Sequence, residues 1–155
     1  MTSKIVVCND IGPYLEALTR GNEYEVIAED EEKEQFKIKG DNNRSRWFKK
    51  YYFVSSGISV PVIVSWKFDD SVEDSSANSL EHIEISILFN DGQTRWCSIC
   101  TKSGLMDYLE RNMDGNVYLI ENQIIVRSFS YESVNDALND LDQHNQLIIS
   151  TKSLN

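Results

Sequence analysis

The chain has 155 residues, of which 41% are hydrophobic, and it carries a formal net charge of −10 at pH 7. This size and composition are typical of one domain or two small ones and exclude extensive disorder. No apolar run approaches the roughly 20 residues that a membrane helix needs, and the N-terminal stretch 1–7 is too short and too quickly charged for a signal peptide. We therefore expect a cytoplasmic protein that has no membrane partner.

Residues 18–53 predict a small β unit. Apolar and acidic side chains alternate over residues 23–29, as in a half-buried strand with Tyr24, Val26 and Ala28 on its apolar face. After an acidic run the apolar alternation resumes at 36–39. A Gly- and Asn-containing turn then precedes a third strand that opens with Trp47 and Phe48.

The order of these motifs is similar to that of the Src-homology-three family. The resemblance covers about a third of the chain. It implies a small β-barrel over residues 1–55, with Tyr52 where a ligand-contacting tyrosine of that family lies. The motifs that carry it are Leu18-x-x-Gly21-x-x-Tyr24-x-Val26, an acidic turn, Phe36-Lys37-Ile38, a polar turn, Trp47-Phe48 and Tyr52-Phe53.

Positive charge is concentrated between residues 37 and 50, where six basic residues accompany one acidic residue. The pattern indicates either a solvated strand face or a surface that contacts phosphate or an acidic protein. The acidity of the whole chain makes nucleic acid an unlikely partner, since phosphate binding needs a positive surface. We call the following set the basic–aromatic patch: Lys37, Lys39, Arg44, Arg46, Trp47, Lys49, Lys50 and Tyr51.

Residues 58–155 predict an α+β domain. Strand character over 58–68 is followed by a polar, acidic stretch, 69–79, that we interpret as a mobile loop. Residues 83–89 and 93–100 then form a hairpin turning at Asn90-Asp91-Gly92. A two-residue Asp91-Gly92 loop would place Trp96 opposite Ile87.

The remaining elements predict two helices and three short strands. One helix runs from a cap at Ser103 to Asn112, and a second from a cap at Ser130 to about His144. Residues 117–120 and 123–127 are read as another hairpin, and 147–149 as a last strand. The sheet should be mainly antiparallel, with both helices on one face.

No grouping of side chains predicts catalysis. Cys97 and Cys100 fall on opposite faces of one predicted strand, and neither His82 nor His144 has a paired ligand motif. No local spacing brings a base to a nucleophile. We therefore expect no catalytic residues, no metal, no cofactor and no enzymatic activity.

Acidity dominates the second half, which has fifteen acidic and six basic residues over 57–155. Acidic surfaces accelerate the capture of basic proteins. We thus expect a non-enzymatic acidic protein that binds and inhibits or recruits another protein, as an immunity protein or a phage inhibitor of bacterial defence does. The alternative is a homo-oligomeric adaptor with a barrel-type peptide- or ligand-binding module. The candidate protein-binding residues are Asp69, Asp70, Glu73, Asp74, Asp136 and Asp140, with Glu29, Asp30, Glu31, Glu32 and Glu34 as a rival site.

Overall fold

A computed structural model describes residues 2–69, 82–116 and 120–154. These residues form two mainly antiparallel sheets and two α-helices, so the fold class is α+β, as the sequence predicts. The chain divides into two compact units. Unit 1 comprises Met1–Val62 and Asp142–Asn145, and unit 2 comprises Ile63–Leu141 and Gln146–Asn155.

The domain bounds expected from the sequence, 1–55 and 58–155, stay a prediction. None of the helices in the described residues is long and apolar enough to cross a membrane.

Unit 1 contains a five-stranded antiparallel sheet in the order β4-β3-β2-β1-β5. The outer strands β4 and β5 lie at opposite ends of this order, so the sheet is open and the expected barrel is not confirmed. The last strand has three residues and pairs with β1. The strands are β1 (Ile5–Cys8), β2 (Glu23–Asp30), β3 (Gln35–Lys39), β4 (Ser45–Lys49) and β5 (Phe53–Ser55), with a 3-10 turn at Lys50–Tyr52 before β5.

The core of unit 1 follows the period-two pattern of its strands. Phe36, Ile38 and Phe48 are buried, because alternate residues of β3 and β4 point to one face. The expected apolar face of β2 is correct at Tyr24 but wrong at Ala28, which is exposed. A register shift between Val26 and Ala28 inserts an extra residue there and changes which face the following side chains occupy.

Unit 2 is built around a second sheet, in the order β10-β8-β7-β6, with β9 paired to β8. The pairing of β9 with β8 is parallel, whereas the others are antiparallel. The strands are β6 (Ile63–Phe68), β7 (His82–Phe89), β8 (Thr94–Thr101), β9 (Gln123–Val126) and β10 (Lys152–Ser153). The helices are α1 (Lys102–Asn112) and α2 (Tyr131–Gln143), and the last two residues of α2 count with unit 1.

The β7–β8 hairpin forms as predicted, but its register differs by one residue. Ile87 lies opposite Arg95, not opposite Trp96. The loop has three residues rather than two, because Gly92 adopts a φ of 82° and Phe89 N donates to Gln93 O across 3.0 Å. A turn that ends in a left-handed glycine is the usual three-residue hairpin loop.

The two helix starts were predicted with unequal success. The Ser130 cap is confirmed, since Ser133 N donates to Ser130 Oγ at 3.2 Å. The expected start at Ser103 is wrong: Thr101 is the cap of α1, and its Oγ1 accepts from Gly104 N at 3.2 Å. Both residues carry a hydroxyl that can cap a helix, and strand β8 runs directly into α1 at Thr101.

Two predictions near the end of unit 2 have different outcomes. The expected strand 123–127 is present as β9, which pairs in parallel with β8, but residues 117–119 of its expected hairpin partner lie outside the described residues, so the hairpin stays a prediction. The predicted last strand is wrong. The last strand is Lys152–Ser153, whereas 147–149 form a turn. Ser150 N donates to Gln146 O there, which closes a helix-like turn instead of a ladder.

The helices cover opposite faces of the second sheet, so the expectation of a common face is wrong. Val134 and Leu138 of α2 belong to the same buried cluster as Ile83 of β7. Tyr108 of α1 instead meets the ring of His82 edge-on, with centroids 6.1 Å apart. Because neighbouring strand residues point to opposite faces, His82 and Ile83 place the two helices on different sides.

Candidate functional site

A groove runs between β9 and α2 in unit 2. At one end, a cavity of about 480 Å³ is lined by Arg127 on the strand side and by Glu132 and Asp136 on α2. At the other end, a cavity of about 390 Å³ is lined by Gln123 and by Asp140. Ile125 and Ala137 line both cavities, so the two cavities adjoin each other.

One wall of the groove is the edge of β9. Ile124 and Val126 are buried in the unit 2 core, whereas 58% of the Ile125 surface is exposed. Consecutive residues of β9 line the two cavities. Because alternate residues of a strand point to opposite faces, the groove runs along an edge of β9 rather than over one face. Among the described residues, β8 is the strand with which β9 pairs.

The other wall is a row of carboxylates. Glu132, Asp136 and Asp140 are spaced four residues apart, which places them on one stripe of α2. Asp136 and Asp140 were predicted as a protein-binding face, and the structure places both of them on the groove. Glu132 was missed, although its spacing from Asp136 is the same as that between the two predicted residues.

Of the acidic segment 69–79 that follows β6, the structure describes the first residue, Asp69. Asp69 accepts from Ser86 Oγ at 2.7 and 2.9 Å, and its backbone N donates to Glu84 O at 3.0 Å. These hydrogen bonds connect the residue that follows β6 to β7. The other predicted carboxylates of this segment, Asp70, Glu73 and Asp74, and most of the expected loop 69–79 lie outside the described residues.

Internal ion pairs balance part of the rival acidic run in unit 1. Glu29 lies 2.8 Å from Lys4 Nζ and 2.6 Å from Lys50 Nζ, and Lys50 also reaches Glu31 at 2.7 Å. Asp30 lies 3.6 Å from Lys33 Nζ. These contacts offset part of the negative charge of the run, while Glu32 and Glu34 stay exposed.

The Glu29 network predicts a dependence of stability on pH. Hydrogen bonds from Lys4 and Lys50 lower the pKa of Glu29 from 4.5 to about 2. A carboxylate with a lowered pKa stabilises the folded state above its unfolded pKa and loses that contribution as pH falls through the folded value. The difference in unfolding free energy between the wild type and Glu29→Gln should therefore shrink between pH 4.5 and pH 2.

Urea unfolding at successive pH values measures this difference. Glu25→Gln is the matched control because Glu25 is exposed on the same strand, and its difference from the wild type should change less over that range. A Glu29→Gln difference that stays constant down to pH 2 would show that the network does not stabilise unit 1.

Strand alternation divides the basic–aromatic patch. Lys37, Lys39, Trp47 and Lys49 lie on the outer face of β3 and β4, opposite the buried phenylalanines, and Lys37 pairs directly with Trp47. Arg46 occupies the other face, with its guanidinium 5.2 Å from the centre of the Tyr14 ring. We call Lys37, Lys39, Trp47 and Lys49 the outer basic face.

The remaining patch residues do not join the outer basic face. Lys50 is paired with Glu29 and Glu31 of the acidic run. The rings of Tyr51 and Tyr52 are tilted by 56° with their centroids 4.5 Å apart. Tyr51 is 71% exposed. Arg44 is exposed in the turn before β4. Whether any of these residues binds a partner stays a prediction.

Comparisons of the chain with protein-family models, with curated proteins and with solved structures find no match.

The three cysteines are buried thiols. Burial raises the pKa of Cys8 and of Cys97 to about 12, and it also raises that of Cys100. Nucleophilic and redox cysteines act as thiolates, so these side chains are poorly suited to such chemistry near neutral pH. In the described part of the chain, no group of three or more His, Cys, Asp or Glu residues could hold a metal ion.

Proposed function

We propose that this chain is a non-enzymatic protein that binds a basic, extended segment of another protein in the β9–α2 groove. Binding would inhibit or recruit that protein, as in an immunity protein or a phage inhibitor of bacterial defence. The row of Glu132, Asp136 and Asp140 beside the edge of β9 is the observation that supports this proposal.

The two walls of the groove supply different parts of the interaction. A strand edge offers backbone donors and acceptors to an added extended segment. The carboxylates on α2 attract a basic segment and exclude an acidic one, since complementary charge mainly increases the association rate and the specificity. An extended basic segment satisfies both walls, whereas a compact surface cannot pair with the strand edge and an acidic segment is repelled by the carboxylates.

Neutralising the carboxylate row should weaken binding of a basic probe. The triple variant Glu132→Gln, Asp136→Asn, Asp140→Asn removes three carboxylates that would pair with lysines of the probe. Each such exposed ion pair contributes about 0.2–1 kcal/mol to binding. Its affinity for fluorescein-labelled octalysine should fall roughly 3- to 150-fold, as measured by fluorescence anisotropy at low salt. Association with the wild type should also slow with added salt, since the screening length falls from about 10 Å at 0.1 M to about 3 Å at 1 M.

The matched control removes the same charge elsewhere in unit 2. Asp107, Glu110 and Asp114 are exposed on α1 or just after it, and changing them to Asn, Gln and Asn gives the same net charge as the groove variant. The control should keep most of the affinity for octalysine. An equal loss in the two triple variants would mean that only net charge matters, and the groove would lose its role.

A homo-oligomeric adaptor is the second candidate function. The observation in its favour is that one chain carries both the acidic groove and the outer basic face, which are complementary between two copies. Light scattering of the same proteins separates the candidates. A mass that rises with concentration in the wild type but not in the groove variant would favour the adaptor, and a strict monomer would remove it.

A further inference from the structure

The outer basic face of unit 1 places three cations around an indole ring on one side of a sheet. In the β3–β4 ladder, Lys37 lies directly opposite Trp47, and Lys49 lies opposite Gln35, two residues before Lys37. Lys39 follows Lys37 by two residues, so strand alternation places it on the same face. Along the strand direction, Lys49 and Lys39 therefore lie on either side of Trp47, each about 7 Å from it.

Trp47 is not held in place by other polar or aromatic side chains. Its surface is 40% exposed, and among the described residues its ring has no ring contact and its Nε1 has no hydrogen-bond acceptor. Trp66 of unit 2 differs, since its ring stacks on Tyr131 at 4.8 Å and its Nε1 donates to Asn135 Oδ1 at 3.1 Å. An exposed tryptophan without such contacts is typical of a binding surface, because it combines a large apolar area with a polar N–H.

Two lysines of this face are not neutralised within the chain. In the part of the chain that the structure describes, neither the Lys37 nor the Lys39 ammonium takes part in an ion pair or a hydrogen bond. Lys37 has Ala28 as its partner on β2 and Trp47 as its partner on β4, and Lys39 pairs with Ser45. None of these partners is charged, so both ammonium groups are available to an anion.

The other charged groups near this face leave its positive charge in place. Lys49 Nζ donates to Lys33 O at 2.9 Å, and a carbonyl does not neutralise an ammonium. Asp30 of β2 is engaged elsewhere, because its Oδ1 accepts from Lys33 N at 2.9 Å and its Oδ2 lies 3.6 Å from Lys33 Nζ. Glu25 is exposed on β2, and no ion pair joins it to a lysine among the described residues.

The size of the face limits what can bind to it. From Lys49 to Lys39 it extends about 14 Å along the strands, the length of about four extended residues. The whole chain has a net charge of −10, so a long polyanion such as nucleic acid would also meet negative charge outside the face. A short acidic segment is affected mainly by the nearby lysines, because charges are screened over about 8 Å at physiological ionic strength. Charge complementarity therefore favours a short acidic segment.

We infer that the outer basic face binds a short acidic segment of a partner protein. Carboxylates of the segment pair with Lys37, Lys39 and Lys49, and an apolar side chain between them packs on Trp47. This inference goes beyond the proposed function, because it uses none of the groove residues and gives the chain a second partner of opposite charge. A chain with both sites connects a basic protein to an acidic one.

Neutralising two lysines tests the electrostatic part. The probe is the fluorescein-labelled peptide Gly-Glu-Glu-Phe-Glu-Glu-Gly, and fluorescence anisotropy at low salt measures its affinity for the full chain. The double variant Lys37→Gln, Lys39→Gln removes two ion pairs with the peptide, so the affinity should fall roughly 2- to 30-fold. The matched control Lys102→Gln, Lys152→Gln removes the same charge from exposed positions of unit 2 and should keep most of the affinity. An equal loss in both double variants would overturn the site.

A substitution at Trp47 tests the apolar part. Trp47→Ala should weaken binding of the Phe-containing peptide about 5-fold or more. It should weaken binding of a peptide with Ser in place of Phe much less, because only Phe packs on the indole. Equal losses for the two peptides would overturn the apolar contact. Circular dichroism checks that Trp47→Ala folds, and the lysine double variant decides the site if it does not.

Two further comparisons complete the test. A labelled hexathymidylate should bind more weakly than the Phe-containing peptide. Equally tight binding that falls in the lysine double variant would overturn the acidic segment in favour of nucleic acid. The groove triple variant keeps every lysine of the outer basic face, so it should not lose affinity for the acidic peptide. If the wild type does not bind that peptide but still binds octalysine through the groove, this inference falls and the proposed function stands.

Discussion

Replacing Arg20 by Met is expected to lower the free energy of unfolding by about 3–5 kcal/mol, because it removes the counter-charge of a buried carboxylate. The Arg20 and Asp142 side chains of unit 1 are 2% and 3% exposed, and Nη1 lies 3.1 Å from Oδ1. Nε also donates to Asn9 O at 2.8 Å, and Nη2 to Asn145 Oδ1 at 2.9 Å. Methionine fills a similar volume but restores none of these contacts.

Guanidinium unfolding followed by circular dichroism measures the loss. Lys33→Met is the control, since Lys33 pairs with Asp30 at 3.6 Å while 71% of its side chain is exposed, and its effect should stay within about 1 kcal/mol. Replacing Asp142 by Leu together with Arg20→Met should recover part of the stability, because no buried charge is then left uncompensated. Similar effects of the Arg20 and Lys33 variants would show that the buried Arg20–Asp142 pair does not stabilise unit 1.

Nothing in the local sequence identifies Arg20 as buried. Its partners Asp142 and Asn145 are 122 and 125 positions away, and a lone arginine beside Gly21 is equally typical of an exposed turn. Charged residues are buried only when tertiary structure supplies their partners. This part of unit 1 could therefore not be predicted without the fold.

Local signals predicted other elements well. The β7–β8 hairpin follows from alternation around Asn90-Asp91-Gly92, and the start of α2 follows from Ser130. The hairpin register was missed by one residue because the same three letters allow a two- or a three-residue loop. Only the backbone conformation of Gly92 decides between these loops.

Only part of the candidate site could be predicted from local sequence. The spacing of Asp136 and Asp140 indicated an acidic helix face. The position of β9 beside α2 depends on its parallel pairing with β8, and the connection between these two strands contains the whole of α1. Such a pairing leaves no short-range signal. The division of the basic–aromatic patch, by contrast, was implicit in the alternation of apolar and basic residues around Phe36 and Phe48.

Two adjacent residues of β4 should respond very differently to truncation. Phe48 is fully buried, and its ring meets Tyr14 edge-on at 4.9 Å and Phe53 at 6.2 Å. Phe48→Ala removes this packing and leaves a cavity, so the free energy of unfolding should fall by about 3–5 kcal/mol. Trp47 points to the outer basic face with 40% of its surface exposed, and Trp47→Ala should cost about 1 kcal/mol or less.

Circular dichroism during guanidinium unfolding is the suitable measurement, because Trp47→Ala itself changes the tryptophan signal. The contrast depends on the alternation of β4, since the two residues are adjacent on the same strand and point to opposite faces. If Trp47→Ala destabilises the chain as much as Phe48→Ala, Trp47 is a packing residue of unit 1. The outer basic face would then lose its aromatic anchor, and its three lysines would be a solvated strand surface.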